Sequence, residues 1–276
     1  MKNHPLVSII VPTFNQAQYL PACVDHCLFQ TYQNLEIIIV DGGSTDTTKE
    51  YLVGLKNKIT SQKMEPVSHL AKNGEIIRRS VHVYPQDRKI KIITFEKDIG
   101  ATRTYNEGLR KATGKYCTYV VGDDLPHPYM IAEMVAALEA EKADFIYSDM
   151  NLVDDNGCIV RQMRLPDYNF KKCFADWFHL GVSKLYRTEL HEKVGLMDEK
   201  YTGANDYDHY LRFAMAGFRF HHLSRILYSV RWHGPARKTG QHTQGRYEIL
   251  IEESKQCAKR ARSYLQGKQL SKEQTP

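Results

Sequence analysis

Long apolar runs are missing from this sequence of 276 residues. None approaches the roughly 18 residues needed to cross a bilayer, which argues against a helical membrane span. Met1 to Pro5 lead straight into a strand-like run with no apolar signal core, so the expectation is a reduced, cytoplasmic protein. Cys23, Cys27, Cys117, Cys158, Cys173 and Cys257 form no C-x-x-C pair and no Cys/His spacing suited to zinc. Cys23 and Cys27 lie four apart on a helical stripe, where packing explains them. No G-x-G-x-x-G follows the first strand, which argues against a dinucleotide-binding enzyme. No internal repeat is present. A large excess of one charge is also missing. The net charge of +6 suits small polyanions or an anionic membrane surface and gives no argument for nucleic acid.

What is present is an ordinary globular composition, 42% hydrophobic and 25% charged, long enough for one sizeable core. Leu6–Val11, Leu35–Val40, Ile90–Thr94, Tyr116–Val121 and Asp144–Ser148 read as strands. Between them run stripes at helical spacing: Tyr19, Leu20, Cys23, Val24, Cys27 and Leu28; then Tyr51, Leu52 and Leu55 on a helix starting near Asp46. Next come Ala101, Tyr105, Leu109 and Ala112, closed by Gly114 as a C-cap, and then Met130, Ile131, Met134, Val135 and Leu138. This alternation predicts βαβ units and a largely parallel sheet.

Beyond residue 148 the pattern changes. Asn156-Gly157 signals a hairpin. A helix starts at Asp206, ends at Gly217, and turns Tyr207, Tyr210, Leu211, Ala214 and Met215 inward. A strand-like stretch reaches Arg231. Tyr247–Leu265 is an amphipathic helix with Leu250, Ile251, Ala258 and Leu265 on one side, while Lys255, Lys259, Arg260 and Arg262 form a solvated face. Residues 56–89 carry much charge and little periodicity, which predicts an irregular insertion.

Gly122-Asp123-Asp124 directly follows the strand Tyr116–Val121. Two adjacent carboxylates at a buried strand end repel each other unless something offsets the charge. A divalent cation does so, since hard cations take oxygen ligands and bridge carboxylates to phosphate oxygens. A turn with a helix-capping Asp is the alternative.

The motifs taken together resemble family 2 glycosyltransferases of GT-A fold. They are Val7 to Asn15 (VSIIVPTFN), Gln30 to Tyr32 (QTY), Glu36 to Asp46 (EIIIVDGGSTD), Asn106 to Lys115 (NEGLRKATGK), Gly122 to Asp124 and Asn205 to Asp208 (NDYD). The resemblance covers residue 6 to about 233. It implies a Rossmann-like, mostly parallel α/β sheet flanked by helices, with acceptor-side elements and a terminal helix towards the C-terminus. The implied division is a GT-A domain over residues 1–240 and a helix and tail over 241–276. Residues 1–125 would be its nucleotide half and 126–240 its acceptor half.

The resemblance also implies roles. Pro12, Thr13, Phe14 and Asn15 would lie against a nucleotide base, and Asp41, with Gly43 in the following turn, would accept a base N–H. Many relatives carry a second Asp where this chain has Gly42. Asp98, Arg103 and Asn106 would surround the nucleotide sugar near a helix N-terminus. Asp124 would hold Mn²⁺ or Mg²⁺, Asp123 would serve ribose or metal, and His233 would complete the metal site beside Arg231 and Trp232. Val121 stands where relatives often have a further Asp, and Asn205 where Glu is usual. Asp206 would be the base that deprotonates an acceptor hydroxyl. Each role has a structural counterpart: turn former for Asp41, cap for Asp98, surface residue for Arg103, N-cap for Asp206, half-buried surface residue for His233.

The implied activity is inverting, metal-dependent transfer from a nucleoside-diphosphate sugar, with UDP-sugar favoured. The acceptor would be a hydroxyl on a glycan, lipid-linked glycan or similar molecule in surface polysaccharide synthesis. Peripheral contact with the inner face of the membrane, through the basic terminal helix, belongs to that reading, and the oligomeric state is left open. The alternatives are a catalytically silent nucleotide-binding partner and a sugar nucleotidyltransferase. The latter needs a Gly-rich basic loop where Val11 to Asn15 stand. Residues 56–89, with Lys72, Arg78, Arg79 and Arg88, are expected to form a lid or acceptor loop near the nucleotide.

Overall fold

β-Branched residues buried on both faces build the centre of the molecule. A computed structural model describes residues 4–61, 64–70, 72, 74–85, 87–141, 143–173, 179–233 and 244–273. Strand β1 (Val7–Thr13) and strand β2 (Leu35–Asp41) are buried at every position, as expected for parallel strands covered by helices on both sides. Between them lies α1 (Leu20–Leu28), whose Cys23, Val24 and Cys27 face the core.

The chain continues with α2 (Thr48–Thr60), β3 (Met64–Leu70), β4 (Ile76–His82), β5 (Lys89–Thr94), α3 (Ala101–Lys111), β6 (Tyr116–Tyr119) and β7 (Leu125–Pro126). Then come α4 (Met130–Ala140), β8 (Phe145–Val153), β9 (Ile159–Met163), α5 (Phe170–Cys173), β10 (Lys184–Arg187) and α6 (Leu190–Val194). The last elements are α7 (Asn205–Met215), β11 (Phe220–Arg231) and α8 (Gln244–Glu273). The main sheet runs β5-β2-β1-β6-β10-β8-β11-β7, with β9 paired to β8. β5, β2, β1 and β6 are parallel neighbours and β8 pairs parallel with β11; β10, β9 and β7 run antiparallel. The expected hairpin is the β8–β9 turn, where Gly157 has φ 83° and its N–H donates to Asp154 O at 3.0 Å.

Residues 56–89 depart from expectation. α2 runs on to Thr60, and β3 and β4 pair as an antiparallel ribbon from Met64↔His82 to Leu70↔Ile76. Nearly every described β4 side chain is exposed, so no alternation between core and solvent was written into the sequence. Arg88 lies behind the ribbon with a buried side chain, donating to Leu28 O, Gln30 O and Gln33 O in the connection ahead of β2. The root of the ribbon therefore sits at the amino ends of the strands. Asp41 and Asp124 lie at the opposite, carboxyl edge, so a lid over the nucleotide does not fit this placement, and Arg88 is bound to protein.

Four smaller expectations need correction. Helix α3 ends at Lys111, and Gly114 is required by close packing: a Cβ there would lie 2.7 Å from Leu6 O and 2.8 Å from Ser8 N. Helix α2 begins at Thr48, with Asp46 Oδ1 accepting the Thr48 N–H at 3.0 Å. On α8 the inward stripe is Leu250, Cys257 and Ala261, while Ile251 is exposed. Arg260 leaves the solvated face to pair with the buried Asp208. The proposed boundary at 240/241 lies outside the described residues. No helix among the described residues is long and apolar enough to cross a membrane.

Candidate active site

Three strand ends meet at the carboxyl edge of the sheet. The Gly42 N–H donates to Thr13 O at 2.9 Å, and the Gly122 N–H donates to Pro12 O at 3.2 Å. Asp41 is fully buried there. Its Oδ1 accepts from Ser44 N at 3.0 Å and Ser44 Oγ at 2.5 Å, whereas Oδ2 is buried with no hydrogen-bond partner among the described residues. An unpaired buried carboxylate oxygen is costly, and a ligand N–H would satisfy it.

Asn15 adopts φ 52° and uses its side chain internally. Its Oδ1 accepts from Thr45 N at 2.7 Å and Asp46 N at 3.3 Å, which locks the β1 and β2 loops together. Thr13 Oγ1 donates to Gln16 Oε1 at 3.0 Å. Gly43 has φ 101°, and a Cβ there would come within 2.2 Å of the Lys97 carbonyl. A Cβ on Gly42 would lie 2.5 Å from Thr104 Oγ1. The space that a second Asp would need is thus taken by Thr104.

The segment expected around the sugar packs on the Gly42-Gly43 turn, with the Ile99 N–H donating to Gly42 O at 3.0 Å. Asp98 is exposed and accepts the Gly100 N–H at 2.8 Å, closing the turn into α3. Arg103 is exposed, 4.0 Å from Glu107. Asn106 is a strut: Nδ2 donates to Met197 O at 2.9 Å and Oδ1 accepts from Met197 N at 3.0 Å.

Asp123 and Asp124 are both about 4% exposed. They occupy the turn just before β7, and pairing of β7 with β11 delivers their partners. Tyr228 O–H donates to Asp124 Oδ2 and Arg231 N–H to Asp124 Oδ1, each at 3.0 Å. The Arg231 guanidinium donates to the carbonyls of Asp123, Asp154 and Asp155. His233 bridges Asp123 Oδ2 and Asp155 Oδ1, at 2.8 Å to each. Tyr19 closes this corner, donating to Asp155 at 3.0 Å with its ring 4.8 Å from His233 and 4.9 Å from Arg231. Tyr19 therefore belongs to the site rather than to the α1 core stripe. Trp232 is half exposed.

Burial and the adjacent Asp123 push the Asp124 carboxyl well above its ordinary value, against the hydrogen bonds from Arg231 and Tyr228. Among the described residues no three His, Cys, Asp or Glu side chains converge as a ligand cage. Two adjacent carboxylates nonetheless suit a hard divalent cation, and the nearby imidazole suits Mn²⁺ better than Mg²⁺.

Asp206 lies in the first turn of α7. Its Oδ1 accepts the Tyr207 N–H at 2.7 Å, and its own N–H donates to Asn205 Oδ1 at 2.8 Å. Asn205 Nδ2 donates to Thr102 Oγ1 at 3.0 Å, which explains the amide at this position, since a carboxylate could not donate. Asp206 is partly exposed as a residue; desolvation of its carboxylate raises its pKa, and Lys184 opposes the rise. Tyr105 lies within electrostatic reach of Asp206, Asp123 and Asp124 together. The three carboxylates therefore share one electrostatic neighbourhood around Tyr105.

The sequence profile of the family described as "Glycosyl transferase family 2" matches residues 8–195, more than half of the chain. The chain belongs to this family. Among curated relatives, glycosyltransferase GlyG of Streptococcus pneumoniae is 31% identical over 151 residues, 55% of this chain and 41% of GlyG. An uncharacterized glycosyltransferase of Rickettsia bellii is 27% identical over 258 residues, 87% of this chain and 32% of that protein. This family 2 chain thus spans less than half the length of either relative. S. aureus TarS 1–349, solved in complex with UDP-GlcNAc, matches with TM-score 0.62 at 20% identity, over 88% of this chain and 64% of that one. Mannosyltransferase PcManGT from Pyrobaculum calidifontis, solved with GDP-Man and Mn²⁺, matches with TM-score 0.58 at 18% identity, over 96% of this chain and 75% of that one. The fold is GT-A.

Sequence reasoning missed Tyr105, Tyr228, Lys184, Asp155 and Glu253. Tyr105, Tyr228 and Asp155 flank motifs and could have been found by proximity; the other two carried no local signal.

Proposed function

We propose that this chain transfers a sugar, with inversion, from a nucleoside-diphosphate sugar to a hydroxyl acceptor. The buried Asp41 Oδ2, unpartnered among the described residues, with the buried Asp123–Asp124 pair at the same edge of the sheet, carries the reading. Asp206, whose pKa is raised, accepts the proton of the acceptor hydroxyl as its oxygen attacks the anomeric carbon and the nucleoside diphosphate leaves. Asp41 Oδ2 accepts an N–H from the base, with uracil the favoured base. Asp124 and Asp123, with His233 released from its contact to Asp123, would hold Mn²⁺ or Mg²⁺. Bound there, the cation supplies charge for the departing diphosphate. A glycan or lipid-linked glycan is the acceptor class in view, and contact with a membrane surface belongs to the same proposal.

Release of UDP from UDP-N-acetylglucosamine, and of GDP from GDP-mannose, tests this without a known acceptor, because water can replace the hydroxyl. Slow release by the wild type that falls about 10²–10⁴-fold in Asp206→Asn is the expected result. Equal release by the variant would remove Asp206 from the reaction. No release by the wild type would favour a silent nucleotide-binding partner.

A further inference from the structure

Lys184 is a cation where the sheet would more cheaply hold a hydrocarbon. It opens β10, between β6 and β8, and is only 1% exposed. Its Nζ donates to Val182 O at 2.8 Å and sits 3.5 Å over the Tyr119 ring and 5.5 Å from the Tyr210 ring. The two phenols hydrogen-bond each other at 2.5 Å. Among the described residues no carboxylate is in ion-pair contact with Lys184, although its charge reaches both Asp206 and Asp124. One carbonyl and two ring faces compensate a buried ammonium only in part, and an apolar residue of that length would stabilise the fold as well or better. What the lysine adds is positive potential directed at the two acidic positions assigned to the reaction.

We propose that Lys184 is a positioning residue for the transfer, an inner cation in its protonated form that favours the ionised Asp206 until the acceptor proton arrives. This rests on the functional reading above. The groups facing Asp206 are Lys184 from β10, Tyr105 from α3, Tyr119 from β6 and Tyr210 from its own helix, and Lys184 is the only cation among them. Lys184 in turn faces Tyr119, Tyr210, His209, Asp206 and Asp124. The phenols' own pKa values are raised, so they stay neutral and cannot replace it. Burial draws the Lys184 amine down to about 7, which the nearby carboxylates resist. The ammonium does not touch the reacting atoms. The proton moves from acceptor oxygen to Asp206 carboxylate, and Lys184 acts only through that carboxylate.

The test pairs Lys184→Met with Lys184→Gln and reads the Asp206 carboxyl directly. Its titration is followed by carboxyl NMR in protein labelled at Asp, with Asp206→Asn to assign the signal. Donor hydrolysis is followed across pH in parallel. Either variant should move the Asp206 titration upward by about one pH unit. The acid limb of kcat/KM should move up with it by the same amount, so that turnover falls on that limb and recovers at higher pH. UDP affinity and melting temperature should hold. An Asp206 titration unchanged in a folded variant would overturn the proposal. Should the wild type release no nucleotide, the transfer reading falls by itself, and the NMR titration still decides what Lys184 does to Asp206.

Discussion

The carboxylate of Glu253 on the terminal helix accepts the backbone N–H of Ala204 at 2.8 Å, two residues before Asp206. The same carboxylate accepts the N–H groups of Gly203 at 2.7 Å and Thr202 at 2.9 Å. Beyond Asp206, Arg260 of α8 pairs with Asp208, which Arg212 also holds at 2.8 Å. The terminal helix thus fastens the start of α7 on both sides of Asp206.

Glu253→Gln should therefore loosen Asp206 as well as the fold. Weakening a charged cap on three N–H groups costs about 1–2 kcal/mol, or a fall in melting temperature of about 2–4 °C for a chain of this size. Donor hydrolysis should drop about tenfold while UDP affinity holds, because misplacing a reacting group harms turnover before binding. Calorimetric melting and steady-state kinetics on the same sample check both parts.

Gly42→Asp should destabilise the protein by about 1–3 kcal/mol, since its Cβ would meet Thr104 Oγ1. Thr104→Ala removes that oxygen and should recover most of the loss. A double-mutant cycle in urea measures the coupling, which should be well above the ~0.5 kcal/mol of independent sites.

Asp41→Asn should weaken nucleotide binding ten- to a hundredfold. The oxygen bonded by Ser44 can be kept, which turns an amide N–H towards the base where Oδ2 was an acceptor. Fluorescence titration of UDP against both proteins reads this directly.

Glu36 gives a pH dependence of stability. Burial alone would raise its pKa, but hydrogen bonds from Ser8 and Thr113 and the Lys91 ammonium bring it below the ordinary value. A depressed carboxyl stabilises above its unfolded pKa of about 4.3 and loses that contribution as pH falls through the folded value. Urea midpoints of wild type should exceed those of Glu36→Gln at neutral pH, and the gap should close as pH drops below about 4.3.

How much was legible in the sequence follows from where each signal lies. β1 and β2 announce themselves because both faces are buried and every position is apolar, β-branched or paired. Asp41, Asp123, Asp124 and Asp206 stand at strand and helix ends, where local pattern and chemistry coincide. Among its described residues the β3–β4 ribbon has no buried face, so no period marks it in the sequence. Glu253 and Arg260 meet their partners across about fifty residues, and on a charged helix they resemble any solvated pair. Asn106 matches a family motif, yet its amide is spent on Met197, a contact no motif displays.

The central claim is a nucleoside-diphosphate site completed by a cation at Asp124. Calorimetric titration of UDP, GDP and dTDP, each with and without Mn²⁺, on wild type and Asp124→Ala tests it most directly. One nucleotide, UDP first among them, should bind the wild type with Mn²⁺ at least tenfold more tightly than without it. That gain should disappear in Asp124→Ala. Binding of no nucleotide, or equal binding with and without Mn²⁺ in both proteins, would contradict it.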